Sequence, residues 1–169
     1  MKKISILGSG WLGLPLARHF VSEGYFVKAS TTSESRLPEI RSAGAESFLL
    51  NLNELKHPVK PFLDASILIV NIPSKNIAGF QQLVKEVDAS AVEHAIFVSS
   101  TSVYKNVRRT ITELDTDSFS DSPLLGIEEL FQTCRSIKTT VVRFGGLIGY
   151  SRHPGRFFKP GRVVQNPNA

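Results

Sequence analysis

A second cysteine is missing from this sequence, so no disulfide can close within the chain, and the lone Cys134 fits a reducing compartment. Cys134 stands in an apolar-periodic stretch from Glu128 to Ile137 and reads as a small core residue, not as a nucleophile. Long apolar runs are absent too: none approaches the roughly 20 residues that a membrane-spanning helix needs. Met1-Lys2-Lys3 leads at once into a strand and a glycine turn instead of a signal-peptide core. A soluble, cytoplasmic protein with no membrane partner is the expectation. A basic stripe with interleaved aromatics is also lacking. The formal net charge is only +5, concentrated at Arg108-Arg109 and between Arg152 and Arg162, so nucleic acid is not an expected partner. An anionic small ligand accounts for that excess, and so does a plain solvated surface. With 41% hydrophobic and 21% charged residues, 169 residues suffice for one ordinary globular domain with a genuine core.

What is present is organised around Lys2 to Ala17. An apolar run, Ile4 to Leu7, enters a glycine-rich turn that leads directly into a second apolar segment beginning Leu14-Pro15-Leu16-Ala17. Gly8, Gly10 and Gly13 stand in the order G-x-G-x-x-G, between a predicted strand and a predicted helix. Each glycine has a physical reason to be there if a dinucleotide binds. Gly8 allows the tight exit from the strand, Gly10 lets a pyrophosphate approach the backbone, and Gly13 lets the helix lie against the strand. The helix start offers unpaired N–H groups and a positive dipole end to phosphates, so Ser9, Trp11 and Leu12 join the glycines as candidate cofactor contacts. A purely structural turn is the alternative reading of the same residues.

Further along, strands are predicted at Tyr25 to Ser30, Ser47 to Leu50, Ser66 to Ile72, Ala95 to Val98 and Thr139 to Phe144. Helices are predicted over Ser33 to Ala43, Ile77 to Val92 and Leu124 to Arg135, the first helix running from Leu14 to Glu23. Strands alternating with helices mean βαβ units. The expected fold is therefore α/β: a doubly wound, mostly parallel sheet of Rossmann type with helices on both faces. Ligands bind such sheets beyond the carboxyl ends of the strands. After the second strand, a NAD-preferring site usually carries an acidic residue for the ribose 2′-hydroxyl. Here Thr31, Thr32 and Ser33 follow the strand, with Arg36 beyond, a set that favours the 2′-phosphate of NADP over NAD. Thr31 and Ser33 would cap the next helix in either case. After the fifth strand, Ser99-Ser100-Thr101-Ser102-Val103-Tyr104 is either a polar turn or a site for a substrate carbonyl.

Taken with the glycine turn and the late strand Val142-Arg143-Phe144-Gly145-Gly146-Leu147-Ile148-Gly149, that hydroxyl cluster resembles the extended short-chain dehydrogenase/reductase family. Within it, the sequence is similar to atypical NAD-dependent epimerase/dehydratase or nucleoside-diphosphate-sugar epimerase-like members, from Lys2 to about Phe158. The resemblance implies that Ser100 hydrogen-bonds the reacting oxygen, that Ile72-Pro73-Ser74 line the cofactor ribose, and that Gly145 and Gly146 approach the nicotinamide. It also implies an oxidoreductase or epimerase acting on a sugar-nucleotide-like substrate, and a homodimer through the helices at Ile77 to Val92 and Leu124 to Arg135.

The sequence departs from that family where its chemistry lies. Typical members open the helix that corresponds to the one after Pro123 with S-P-Y-x-x-x-K, the lysine lowering the tyrosine pKa for proton transfer. This chain reads Ser122-Pro123-Leu124-Leu125-Gly126-Ile127-Glu128, with neither tyrosine nor lysine. Tyr104 is then the only nearby phenol, and Ser100 with Tyr104 forms the candidate catalytic pair. Leu7 also stands where extended members carry their first glycine. A non-catalytic NADP-binding sensor or interaction module is the alternative that these losses support. Extended members continue well past this chain's Ala169, so a truncated protein is expected. Its residues 1–150 would be an NAD(P)-binding domain, and 151–169 either the start of an incomplete substrate lobe or a loose tail in which Arg152, His153 and Arg156 could meet a phosphorylated substrate.

Overall fold

A computed structural model describes residues 2–55, 59–107, 109–149, 151–153, 155 and 161, so Arg108 and Arg156 lie outside the described residues. Strands and helices alternate along them in the order β1 (Lys3–Leu7), α1 (Gly13–Ser22), β2 (Phe26–Thr31), α2 (Leu37–Ser42), β3 (Glu46–Leu49), α3 (Val59–Leu63), β4 (Ile67–Val70), α4 (Ile77–Asp88), β5 (His94–Ser100), α5 (Pro123–Thr133) and β6 (Lys138–Phe144). All strand pairings are parallel, and the sheet order is β3-β2-β1-β4-β5-β6. The expected doubly wound α/β fold is what forms. Its order reverses direction between β1 and β4, where Ile4 pairs with Val27 on one side and Ile67 on the other.

Alternation along each strand divides the core into two layers. Ile4, Ile6, Val27, Ala29 and Ile69 pack with Leu14 and Ala17 of α1 and Ile40 of α2. Leu7, Leu68, Val70 and Phe97 face the other way, toward α3, α4 and α5. There Phe80, Phe97 and Phe131, all fully buried, form a three-ring cluster with centroids 5.2 to 6.2 Å apart. Asn76 and Ser122 cap α4 and α5, accepting hydrogen bonds from the amides of Gly79 and Leu124.

The structure differs from the sequence reading in three places that bear on the site. Strand β4 stops at Val70, short of the predicted Ile72, and Asn71 follows it with its amide still donating to the Leu7 carbonyl at 2.8 Å. Strand β5 continues through Ser100, which places Ser99 and Ser100 on the strand itself and on opposite faces of it. The short helix α3 was not legible, because five residues containing Pro61 display no helical period. It docks through Phe62 and Leu63 and is fastened by polar groups of the strands beneath it. Ser5 Oγ donates to the Phe62 carbonyl at 2.5 Å, and the buried Lys28 donates through Nζ to the carbonyls of Pro61 and Asp64. Cys134 sits half-buried at the C-terminal end of α5, its sulfur 3.6 Å from Asp88 Oδ1, at the rim of the core and not inside it.

Candidate functional site

The glycine turn leaves β1 at the point where the sheet order reverses, and two of its three glycines are sterically required. Gly8 has φ +99, and a Cβ on it would collide with the Asn71 carbonyl. A Cβ on Gly13 would collide with the Gly8 carbonyl, so the start of α1 lies directly on the turn. Gly10 is different: a Cβ there would meet nothing within 4 Å. That open side is the space that a pyrophosphate would enter. Neighbouring groups fix the turn itself. Gly8 N donates to Ser30 Oγ at 3.1 Å, Ser9 N to the Ser30 carbonyl at 2.8 Å, and Asn71 Nδ2 to the Gly8 carbonyl at 3.3 Å. Helix α1 has no acidic residue in its first turn and no side-chain N-cap; its Leu14 amide donates back to the Gly10 carbonyl at 3.1 Å, and the positive end of the helix faces the turn. Ser9 Oγ is buried without a hydrogen-bond partner among the described residues.

Two adjoining cavities open on this turn and share Gly10, Asn71, Ile72 and Pro73. The first, of about 380 Å³, runs from Gly8-Ser9-Gly10 past Ser30, Thr31, Thr32 and Arg36 to Leu50, Asn51, Leu52 and Asn53, and is closed by Asn71 through Ser74. The second, of about 500 Å³, takes in Trp11, Leu12, Lys75, Val98, Ser99, Ser100, Ser102, Leu124, Leu147 and Arg152. The structure thus brings together Gly8, Ser9, Gly10, Thr31, Thr32, Arg36, Ile72, Pro73 and Ser74 in one cavity and Trp11, Leu12 and Ser100 in the next. Gly13 serves the cleft from behind, through packing.

Other predicted residues fall outside the lining. Ser33 turns its hydroxyl to Ser35 at 2.8 Å, and its amide donates to Thr31 Oγ1. Gly145 and Gly146 follow β6 at the cleft's margin, where Leu147 is the residue that reaches the wall. Tyr104 is not in the cleft with Ser100. It lines a separate cavity with Thr101, Glu113 and Arg143, and its hydroxyl accepts a hydrogen bond from Arg143 Nη1 at 2.6 Å.

Arg36 also carries more partners than its sequence position suggested. It donates to the Ser9 carbonyl at 2.9 Å and pairs with Glu39 on α2 at 2.9 Å, so a carboxylate does stand beside the expected 2′-phosphate pocket. Sequence reasoning missed Asn71, Asn51, Asn53 and Lys75. A polar residue closing an apolar run was the available signal for Asn71.

Beneath the second cavity, the positions of the family's missing tyrosine and lysine hold a rearranged network. Leu124 lines the cavity wall and offers it only hydrocarbon. One turn on, Glu128 is 2% exposed and accepts from Ser99 Oγ and from Arg143 Nη2, both at 2.5 Å. Arg143 Nε lies 3.1 and 3.2 Å from the two carboxylate oxygens, so the pairing is forked. These hydrogen bonds to Glu128 hold the Arg143 pKa above its ordinary value, against the opposing effect of burial. The guanidinium carbon also stands 5.1 Å from the Tyr104 ring centroid and 4.8 Å from that of Phe119. The negative charge of Glu128 is therefore matched internally, across α5 and β6.

No protein-family model matches the chain. The protein YeeZ of Escherichia coli (strain K12) is 32% identical over 173 residues, an alignment that covers 94% of this chain and 63% of YeeZ. The chain thus spans a little under two thirds of that curated relative. Among solved structures, MoeE5 in complex with UDP-glucose and NAD superposes with a TM-score of 0.74 at 19% identity, over 93% of this chain and 58% of MoeE5. UDP-glucuronic acid 4-epimerase from Bacillus cereus in complex with NAD gives 0.71 at 18% identity, over 90% and 59%. Over the part it spans, this chain has the fold of the NAD-dependent epimerase/dehydratase and short-chain dehydrogenase/reductase structures.

Proposed function

We propose that the chain binds NADP or NAD in the cleft between β1 and β4, as the dinucleotide-binding part of an oxidoreductase or epimerase that acts on a sugar-nucleotide-like substrate. One observation carries the reading: the space over Gly10 opens beside the uncapped N-terminus of α1, at the point where the sheet order reverses. The pyrophosphate would take the amides of the turn, and the adenosine would extend along the first cavity toward Leu50 and Leu52. Bound there, the nicotinamide supplies a hydride donor or acceptor. Ser100 stands in the second cavity to hold the reacting oxygen: its Oγ already accepts from the Ser102 amide at 3.1 Å, which leaves its own proton to donate. Leu124 offers no proton, so exchange at that oxygen falls to water in the open cleft.

The test is a titration with NADP and NAD that follows the emission of Trp11, the single tryptophan, with calorimetry alongside. Saturable binding is expected, and its absence by both methods would remove the proposal. Arg36 sets the choice of cofactor through its place on the first cavity, exchanging Glu39 for a 2′-phosphate. Arg36→Ala is expected to weaken NADP about tenfold while sparing NAD, the loss of one charge-assisted contact. Equal losses would point instead to its hydrogen bond with the Ser9 carbonyl.

A further inference from the structure

The loop after β6 folds back onto the glycine turn. Gly149 and Arg152 exchange two backbone hydrogen bonds, of 3.2 and 2.7 Å, and close a tight hairpin. Gly149 takes φ +137, and a Cβ built on it would already touch the Trp11 indole at 3.8 Å. The hairpin thereby lays the Arg152 guanidinium on the same indole, 4.6 Å from the ring centroid. Arg152 lines the second cavity together with Gly10, Trp11 and Leu12, the residues of the turn that lead into the N-terminus of α1. Among the described residues no carboxylate lines that cavity, although Lys75 does. Arg36, the other arginine on the cleft, is paired with Glu39, whereas Arg152 has no ion pair among the described residues.

We propose that Arg152 is a second anchor for the cofactor pyrophosphate, gripping it from the side opposite the backbone amides of the glycine turn. This rests on the dinucleotide reading given above. Stacking on Trp11 keeps the guanidinium flat and leaves its N–H edges free for an anion, which is how arginine takes phosphate in preference to lysine. Trp11 then has a defined role as the platform that holds Arg152 over the turn, and the hairpin ties the end of β6 to the start of α1. The anchor acts on every ligand that carries the pyrophosphate, whichever nicotinamide cofactor it is.

The experiment measures calorimetric affinities of NADP, NAD, ADP-ribose and adenosine 2′-monophosphate for the full chain and for Arg152→Met and Arg152→Lys. Arg152→Met is expected to weaken NADP, NAD and ADP-ribose by about tenfold, the loss of one charge-assisted contact, and to leave adenosine 2′-monophosphate unchanged. Arg152→Lys is expected to recover most of the loss, and the difference between wild type and Arg152→Met is expected to shrink as salt rises. Unchanged ADP-ribose affinity in Arg152→Met, with wild type binding normally, overturns the anchor and leaves the cofactor reading standing. An equal loss for adenosine 2′-monophosphate overturns it as well, since that ligand has no pyrophosphate to lose. If the wild-type chain binds none of the three pyrophosphate ligands, both readings fall together.

Discussion

Glu128 illustrates how one buried side chain commits its neighbours. Its carboxylate has three interactions to satisfy, with Ser99 and with two nitrogens of Arg143, and water cannot replace them at 2% exposure. Glu128→Ala should leave the Arg143 cation uncompensated and cost about 3–5 kcal/mol, read from chemical denaturation. The double variant Glu128→Leu with Arg143→Met should lose clearly less than the sum of the two single changes, because it removes both charges at once. A second residue responds to acid. The Thr112 amide, at 2.7 Å, and Arg109 hold the Asp115 pKa down at about 2, below the 3.8 of an ordinary aspartate. A depressed acid stabilises the folded form above its unfolded pKa and loses that contribution as pH falls through the folded value. The turn from Thr112 to Asp115 should hold at neutral pH and open between about pH 4 and pH 2. Amide exchange at Thr112 is the measurement; protection unchanged at pH 2 would contradict it.

At the scale of elements, the strand, turn and helix around the three glycines separate stability from binding. Gly13→Ala drives a methyl group into the Gly8 carbonyl and should lower the melting temperature with or without ligand. Gly10→Val adds its side chain to open space, so it should fold with near-wild-type stability and fail to bind dinucleotide. Paired melting and titration curves on the two variants check this. Lys28 works for α3 in a comparable way: Lys28→Met removes the donor to the carbonyls of Pro61 and Asp64 and should cost about 1–3 kcal/mol in denaturant melts. The glycine turn was legible in the sequence because the exit from β1 at Gly8 and the close contact of α1 at Gly13 both demand glycine at fixed spacing. Helix α3 was not, since its position depends on Lys28 and Ser5, residues that lie on strands distant in sequence. The same holds for the Ser99–Glu128–Arg143 network. Its members come from β5, α5 and β6, and nothing in their sequence spacing shows that the three side chains meet.

For the molecule as a whole, alternating βα periodicity was enough to state the fold, since parallel strands with short connections leave few topologies to choose from. The first cavity was likewise foreseeable, because residues that follow strands in such a sheet must gather at one edge of it. The division of Ser100 from Tyr104 was not foreseeable. It depends on β5 running to Ser100 and on Arg143 drawing the phenol to the far side. The Glu128–Arg143 pair also limits what can be built at this place. Introducing a tyrosine and a lysine one turn apart by Leu124→Tyr and Glu128→Lys would set a new cation against Arg143 and strip Ser99 of its acceptor. Such a pair can be accommodated only if Arg143 changes with it, so a proton-transfer dyad on α5 needs a third substitution.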